Sequence, residues 1–247
     1  MKGDRLDERL VALALAESRN QAQALIRAGR VLVDDVPVDK PGTRVAEASA
    51  VRLRGEVRRY VSRGGEKLEG ALTDLGLDPH GLRCLDVGAS TGGFTHCLLE
   101  HGAVHVTAVD VGYGQLDLRL RGDPRVHVLE RTNARHLTAE ALPGPIELVT
   151  VDVSFISSTL VLPVLRERCP EADVLVMVKP QFEVRREQVG RGGVVRDDAL
   201  RAQAVERVAA CARELGYAVS DPAESRLTGP KGNREVFLHL RPRPSSR

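Results

Sequence analysis

Two charged residues stand at the ends of apolar segments, where a protein core would not select them. Asp152 ends the apolar part of VTVDVSFIS, and Lys179 ends that of VLVMVKPQFE, where Pro180 stops the strand. Aspartate and lysine are rarely buried unless they are paired. An acid and a lysine at one sheet edge could bind a substrate or move a proton. Taken alone, the two residues could equally form a structural ion pair.

The elements that must position these residues alternate between strand and helix patterns over residues 62–242. Near-continuous apolar strands separated by helices favour an α/β fold with a mostly parallel sheet covered on both faces. Such sheets bind ligands at the carboxyl ends of their strands, so functional residues are expected directly after the strands. The seven candidate strands are RCLDV, VHVTAVD, RVHVLE, IELVTVD, DVLVMVK, GYAVSD and EVFLHL.

A glycine-rich segment, LDVGASTGGFTHCLL, follows the first of these strands. Gly88, Gly92 and Gly93 permit a tight loop and a close approach of the backbone to a nucleotide-like ligand. The segment is neither GxGxxG nor a phosphate-binding GK[ST] loop, which disfavours a dinucleotide or a nucleoside triphosphate. Asp86 precedes the glycines, and Asp110 ends the next strand, where an acid can accept hydrogen bonds from ribose hydroxyls.

Residues 4–57 predict a separate small module. RLDERLVALALA predicts a helix, and Ser18 begins a second helix that stops at Gly29. Short β-like pieces, VLVDD and VPVD, follow with a tight turn between them, and AVRLR closes the module. The apolar stripe of the first helix is Leu6, Leu10 and Leu13.

Composition and charge narrow the classes of function. The chain has 247 residues, 28% of them charged, and a net charge of only +2, so it is not a bulk polycation. With no Trp, three Tyr and four Phe, an aromatic platform for stacking single-stranded RNA is disfavoured. Electrostatic recognition of RNA stays open, because residues 1–61 hold twelve Lys and Arg against nine Asp and Glu.

The cysteines and the N-terminus indicate the compartment. The cysteines form no CxxC pair and have no metal-spaced histidine, which favours a reduced cytosolic protein without a metal site. MKGDRLDERL lacks an apolar signal core, and no run approaches the roughly 20 apolar residues of a membrane helix. We therefore expect a cytoplasmic protein. The four cysteines are Cys84, Cys97, Cys169 and Cys211.

The first module resembles a known RNA-binding domain. LDERLVALALAESRNQAQALIRAGRVLVDDVPV is similar to the S-four-type domain in its two helices and following turn. The resemblance implies an arginine face against structured RNA, since arginine forks suit phosphates; a merely solvated helix face is the alternative. The implied RNA-binding residues are Arg5, Arg19, Arg27, Arg30, Arg58 and Arg63.

The second module resembles S-adenosylmethionine-dependent methyltransferases through D-x-G-x-x-x-G-G-F and the downstream acid. The resemblance implies a class I, Rossmann-like fold in which the glycines pass the methionine part. It also implies that Asp110 holds the ribose and that Asn133, in RTNAR, contacts the adenine. The implied cofactor-binding residues are Asp86, Gly88, Ala89, Ser90, Thr91, Gly92, Gly93, Phe94, Asp110, Asn133 and Asp152.

Lys67, Asp152, Lys179 and Glu235 together resemble the K-D-K-E tetrad of RrmJ/FtsJ-type ribose 2′-O-methyltransferases. With YVSRGGEKLEGAL, VGYGQLDLRLR and VDVSFIS, the chain is identified as a member of the TlyA family, which also carries a haemolysin label. The resemblance implies that Lys179 is central to activating the ribose hydroxyl and that Asp152 positions it and the charged end of the cofactor. Lys67 and Glu235 would hold the target nucleotide and the network.

These resemblances imply an S-adenosylmethionine-dependent rRNA methyltransferase that acts on a cytidine ribose in ribosomal subunits. Because the chain ends soon after its last strand, the large subunit is favoured over both subunits. No apolar segment supports membrane lysis. The expected parts are an RNA-binding domain (1–58), a linker (59–63), a methyltransferase domain (64–242) and a tail (243–247).

Three other functions are possible: a noncatalytic RNA-binding or ribosome-assembly factor, an NAD-dependent oxidoreductase, and a pseudouridine synthase, which would also carry an S-four-type domain. The intact tetrad disfavours the first, and the cofactor loop disfavours the other two. Residues 181–198 are expected to form either a lid or RNA-contacting loop, or an inert insertion.

Overall fold

The computed structural model describes residues 3–54, 59–229 and 232–243. The chain divides into two compact units, Met1–Arg58 and Arg59–Arg247. The residues predicted as a linker, 59–63, fall in the second unit, where Tyr60 is buried against the edge of the His96 ring. No helix within the described ranges has the length and apolar character that a membrane span requires.

The first unit is a small α+β structure. Its core consists of Leu6 and Leu10 from the first helix, Ala22 and Ile26 from the second, and strand residues such as Val31. Its elements are β1 (Asp4–Arg5), α1 (Leu6–Ala12), α2 (Arg19–Arg27), β2 (Val31–Val33), β3 (Val36–Pro37), β4 (Arg44–Val45) and β5 (Val51–Leu53). The order β3-β2-β5 forms one antiparallel sheet, and β1 pairs with β4.

The predicted helix ends in this unit are confirmed at α2 and wrong at α1. The Ser18 side chain accepts a hydrogen bond from the Gln21 amide, and Gly29 follows α2 with φ +66°. Helix α1 ends at Ala12, since Ala14 turns the chain with φ +55°. Leu13 is therefore 40% exposed rather than part of the buried stripe.

The second unit is built around one twisted sheet. The strands are β6 (Arg83–Val87), β7 (His105–Val109), β8 (Val126–Leu129), β9 (Leu148–Val151), β10 (Asp173–Val178), β11 (Tyr217–Val219), β12 (Ala223–Glu224) and β13 (Val236–Pro242). The α-helices are α3 (Arg63–Leu75), α4 (Gly93–Glu100), α5 (Leu118–Arg121), α6 (Leu162–Arg168), α7 (Pro180–Glu183) and α8 (Asp198–Glu214). Short 3-10 turns are Ala134–His136, Ala139–Ala141, Ser158–Leu160 and Arg186–Gln188.

The sheet order is β11-β13-β10-β9-β6-β7-β8, with β12 paired to β13. Strands β6 to β10 run parallel to their neighbours, whereas β13 is antiparallel to β10 and β11. The predicted α/β fold with a mostly parallel sheet of seven main strands is confirmed, and β12 is an additional two-residue strand. Because β13 is antiparallel, it begins at the edge where the parallel strands end, and Val236 pairs with Val178.

Alternation along the strands builds a core on each sheet face. On β10, Val174, Val176 and Val178 face the cluster that includes α6 and α8, whereas Leu175 and Met177 face the cluster that includes α3 and α4. This period-two pattern buries both faces of a central strand. Apolar contacts therefore occupy the sheet faces, and the polar residues collect at the strand ends.

Candidate active site

Gly88 begins the loop after β6, and its conformation is one that a side chain would disrupt. Its φ is +89°, and a β-carbon there would lie 2.5 Å from the carbonyl oxygen of Asp152. The amides of Gly88 and Ala89 donate to the Val109 carbonyl, at 2.8 and 3.1 Å. The loop is thus held against the ends of β7 and β9, which leaves a cleft above the strand ends.

Asp110 lies where β7 ends, and backbone amides orient its carboxylate. One oxygen accepts from the Ser90 amide at 2.8 Å and the other from the Gly112 amide at 2.7 Å. Ser90 reaches this position with φ +49°. Because a carboxylate oxygen has more than one acceptor site, Asp110 can still accept hydrogen bonds from a ligand in the cleft.

A pocket of about 430 Å³ opens beside these residues. Asn133 is at its far side, where its side-chain oxygen accepts from the Arg135 amide at 3.1 Å and caps a 3-10 turn. Five of the eleven residues predicted to bind the cofactor line the pocket: Gly88, Ser90, Asp110, Asn133 and Asp152. The other lining residues are Val87, Val109, Val111, Gly112, Gln115, Thr132, Ala134, Arg135, Val153, Ser154, Phe155 and Ile156.

The other six predicted residues, Asp86, Ala89, Thr91, Gly92, Gly93 and Phe94, do not line this pocket. A β-carbon on Gly92 would meet the Leu120 side chain at 2.3 Å, and one on Gly93 would meet the Ser62 hydroxyl at 2.2 Å. The ring of Phe94 stacks on Phe237, with centroids 6.2 Å apart. These three residues therefore allow α4 to pack closely in the core.

Asp86 is fully buried beneath the loop. Its carboxylate accepts from the hydroxyls of Thr95, at 2.7 Å, and Thr150, at 3.1 Å. Burial raises the pKa of Asp86 to about 7, and the nearby charge of Asp152 acts in the same direction against the two hydroxyl bonds. Since no cation among residues 3–54, 59–229 and 232–243 is bonded to it, this carboxylate is costly to keep ionised.

The four predicted catalytic residues form two lysine–carboxylate pairs. Lys179, directly after β10, pairs with Asp152, directly after β9, and also donates to the Ser154 hydroxyl at 2.8 Å. Lys67, on α3, pairs with Glu235, the residue before β13. The Lys67 and Glu235 side chains are only 9% and 1% exposed.

The two pairs act on each other electrostatically at the edge where β9, β10 and β13 meet. Burial raises the pKa of Asp152, and the charge of Glu235 adds to this rise. Lys179 and Lys67 oppose it. A carboxylate that stays costly to ionise beside two lysines fits a site that handles protons or developing charge better than a simple structural pair.

Two residues at the site were missed by the sequence interpretation, Ser154 and Phe155. Ser154 binds Lys179, and both residues line the pocket. The Phe155 side chain is exposed (88% for the residue) although its backbone has φ +68°, an unusual conformation for a bulky residue. An exposed aromatic ring in a constrained turn beside a pocket is typical of a ligand contact. VDVSFIS held both residues, but their type alone carried no signal.

Residues 181–198 contain α7, a 3-10 turn and an isolated bridge between Gly190 and Val194. The buried Asn233 side chain accepts from the Val195 amide at 3.0 Å and donates to the Gly193 carbonyl at 2.8 Å. Asn233 lies two residues before Glu235, so this segment is anchored close in sequence to a tetrad residue.

The predicted RNA-binding arginines differ in their surroundings. Arg5 and Arg19 both donate to the buried carboxylate of Asp7, with Nε–oxygen distances of 3.0 Å. Among the other described ones, Arg27 donates to the Gln23 side chain at 3.3 Å, Arg30 to the Arg54 carbonyl at 2.7 Å, and Arg63 to the Thr228 carbonyl at 3.1 Å. Arg58 lies outside the described residues.

Comparison with known proteins identifies both units. The FtsJ-like methyltransferase family matches residues 60–242, and the S4 domain family matches residues 4–51. The chain is 53% identical to a Mycobacterium tuberculosis protein named 16S/23S rRNA (cytidine-2′-O)-methyltransferase TlyA, over 96% of this chain and 89% of that protein. It is 45% identical to the Putative rRNA methyltransferase YqxC of Bacillus subtilis, over 97% of this chain and 86% of that protein.

The same relationship is seen among solved structures. A putative hemolysin from Streptococcus thermophilus superposes with a TM-score of 0.75 at 39% identity, covering 99% of this chain and 90% of that one. The domain matches and the full-length relatives thus agree on one architecture, an S4 domain followed by a methyltransferase. The chain therefore belongs to the TlyA family of FtsJ-like methyltransferases.

Proposed function

We propose that this protein transfers a methyl group from S-adenosylmethionine to the ribose 2′-hydroxyl of a cytidine in ribosomal RNA. The observation that carries the proposal is the two lysine–carboxylate contacts at the strand ends: Lys179–Asp152, of which Asp152 lines the pocket, and Lys67–Glu235, whose charges act on Asp152. Of the relatives named above, the Mycobacterium tuberculosis protein is described as an rRNA (cytidine-2′-O)-methyltransferase and the Bacillus subtilis protein as a putative rRNA methyltransferase.

The pocket residues fit the cofactor. The Asp110 carboxylate, oriented by two amides, suits ribose hydroxyls, and Asn133 suits the adenine. Gly88, where a β-carbon would collide with the Asp152 carbonyl, lets the backbone lie close to the methionine part. When bound, the cofactor supplies an electrophilic methyl group on a positively charged sulfur.

Lys179 is the residue that acts on the nucleophile in this proposal. Asp152 and Ser154 fix its ammonium group, so it can orient the ribose hydroxyl and stabilise the negative charge that develops on the oxygen. Once the methyl group has been transferred to this oxygen, the hydroxyl proton would pass to the Asp152 carboxylate, because an ammonium group such as that of Lys179 has no acceptor site. The raised pKa of Asp152 suits it to share that proton.

Lys67 and Glu235 bind and orient the target nucleotide and take no part in the proton transfer. Their pair is more deeply buried than Lys179–Asp152. Lys67 lies on α3, and Glu235 lies directly before β13, which pairs with β10 on the side away from β9. Phe155 offers an exposed ring at the pocket on which the target base can stack once it leaves its own helix.

The division of labour follows the two units. In this proposal residues 1–58 dock on RNA of the ribosomal subunits, and residues 64–242 perform the transfer, with 59–63 between them. In the first unit, Arg27 and Arg30 contact phosphates, and Arg5 and Arg19 add positive charge from their places beside Asp7. In the second unit, Arg63 contacts phosphate as well.

The proposal is tested by incubating the protein with unmodified ribosomal subunits and methyl-labelled S-adenosylmethionine, followed by mass mapping of the rRNA. The label is expected on a cytidine ribose. Cofactor binding without incorporation into any rRNA ribose would contradict the proposal and favour a noncatalytic rRNA-binding factor. Label on a base instead of a ribose would contradict the assigned acceptor.

A further inference from the structure

A second contact between the two segments at the active site lies outside the tetrad. Segment 152–158 follows β9, and segment 179–183 follows β10. Near the pocket they meet through Lys179, which binds Asp152 and Ser154. Farther along they meet again, where Glu183 of α7 binds the backbone and side chain of the first segment.

Glu183 is 2% exposed, and both of its carboxylate oxygens are used. One accepts from the Ser158 amide at 2.7 Å, and the other accepts from the Ser157 hydroxyl. The Glu183 carbonyl in turn accepts from the Arg207 guanidinium of α8 at 2.8 Å. A buried carboxylate fixed from both sides makes a rigid anchor, because removing it would leave buried donors without partners.

The segment that Glu183 anchors contains the constrained turn at Phe155. A left-handed backbone is unfavourable for a residue with a β-carbon and persists only where its surroundings hold it. The turn is held before Phe155 by Ser154 on Lys179, and after it by Ser157 and Ser158 on Glu183. The Phe155 ring also packs on Phe182, the neighbour of Glu183, with centroids 5.3 Å apart.

We propose that Glu183 is a positioning residue for the transfer reaction: through Ser157 and Ser158 it holds the Phe155 ring where the base of the target nucleotide stacks. This inference rests on the proposed function. Glu183 touches neither substrate nor cofactor in this role, and its effect on catalysis runs through Phe155.

A double-mutant cycle separates this role from a general contribution to folding. Transfer to rRNA is measured for wild type, Phe155→Ala, Glu183→Ala and the double variant, with cofactor affinity and Tm for each. Loss of one base–aromatic stack corresponds to about a tenfold drop in kcat/KM for RNA in each single variant. The double variant is expected within about threefold of the weaker single variant, because residues that act as a unit are not additive.

Two further variants serve as controls. Glu183→Gln keeps an acceptor for the Ser158 amide and a partner for the Ser157 hydroxyl, so it should retain activity within about threefold of wild type. Glu187→Ala removes an exposed carboxylate four residues farther along the chain. It should change neither kcat/KM for RNA nor cofactor affinity. Where Glu183→Ala does not fold, Ser157→Ala takes its place in the cycle and should likewise add no loss to Phe155→Ala.

Additive losses, about a hundredfold in the double variant from two tenfold effects, would overturn the role of Glu183. So would unchanged transfer in Glu183→Ala, or a loss confined to cofactor affinity. These outcomes presuppose an active wild type and leave the proposed function intact. An inactive wild-type protein would instead contradict the proposed function itself, together with this inference.

Discussion

Two fully buried aspartates, one in each unit, differ in what surrounds them. Asp7 in the first unit accepts hydrogen bonds from Arg5, Arg19 and Gln23, which together hold its pKa well below the usual range. Asp86 in the second unit accepts from two threonine hydroxyls, which are neutral donors, and burial raises its pKa to about 7. Buried carboxylates are thus stabilised as anions at one place and destabilised at another.

The difference separates a carboxylate that stabilises the fold, Asp7, from carboxylates that lie at the candidate active site, Asp86 and Asp152. The contacts of Asp7 with Arg5, Arg19 and Gln23 secure the start of α1 to α2. At the strand ends of the second unit, Asp86 and Asp152 keep raised pKa values, although Asp152 has Lys179 beside it. A site arranged this way retains a tendency to accept a proton, whereas the Asp7 cluster has lost it.

The largest effect in this comparison is expected for Asp86→Asn and depends on pH. A raised pKa means that the folded protein binds the proton more tightly than the unfolded chain, so this stabilisation is full below about pH 4 and is lost towards pH 7. Asparagine imitates the protonated acid. The shift from 3.8 to about 7 corresponds to at most about 4 kcal/mol.

Unfolding by urea between pH 4 and pH 8, for both proteins, measures this effect. The wild type should lose stability relative to Asp86→Asn as the pH rises. A difference that is flat across this range would show that the Asp86 carboxylate is ionised throughout.

A smaller effect of opposite pH dependence is expected for Asp7→Asn. The lowered pKa of Asp7 gives stability that is present above about pH 4 and lost as the pH falls further. The substitution should lower the free energy of unfolding at pH 7 by about 2 kcal/mol, because hydrogen bonds to charged partners are lost while partly exposed arginines can turn to solvent.

Thermal unfolding of Asp7→Asn, beside a control, measures this loss. Glu8→Gln, at a half-exposed neighbour that also contacts Arg5 and Arg19, should cost much less. Equal losses in the two variants would remove the distinction between the buried anchor and its exposed neighbour.

The smallest effect on stability is expected for Arg27→Ala. Within the part of the chain that the structure describes, Arg27 has only a 3.3 Å contact to Gln23, so the free energy of unfolding should change by less than about 0.5 kcal/mol. The affinity of the Arg27→Ala protein for RNA should fall. The magnitude of the slope of log affinity against log salt concentration should decrease by about one unit for a single lost phosphate contact. Arg19→Ala, by contrast, should also lower stability. An unchanged salt slope for Arg27→Ala would exclude the residue from the RNA interface.

The main strands could be predicted from the sequence, and so could the place of the charged residues at the strand ends. Apolar runs identify strands well, and in a parallel sheet every strand end faces the same edge. Lys179 and Asp152 were therefore expected together, and they pair. Glu235 joins that edge because β13 is antiparallel to β10, with Val236 opposite Val178.

What could not be predicted depends on partners far apart in the chain. Arg5 and Arg19 both donate to the buried Asp7 carboxylate. Helix periodicity does not reveal these contacts. The loop pattern also does not reveal that Gly92 lies against the Leu120 side chain and Gly93 against the Ser62 hydroxyl. Phe155 has a left-handed backbone that its type disfavours, and the restraints on it come from Lys179, Phe182 and Glu183, which follow another strand.

The central claim is that the strand-end lysine and carboxylate perform the transfer. It is tested most directly by the single-turnover rate of methyl transfer to rRNA, at saturating cofactor, in wild type and Lys179→Ala. Loss of the group that orients and stabilises the nucleophile should lower the rate by at least about 10³-fold while cofactor affinity changes less than about threefold. Arg213→Ala, which removes a half-exposed cation of α8 in the second unit, is the control. A Lys179→Ala rate close to wild type would contradict the account.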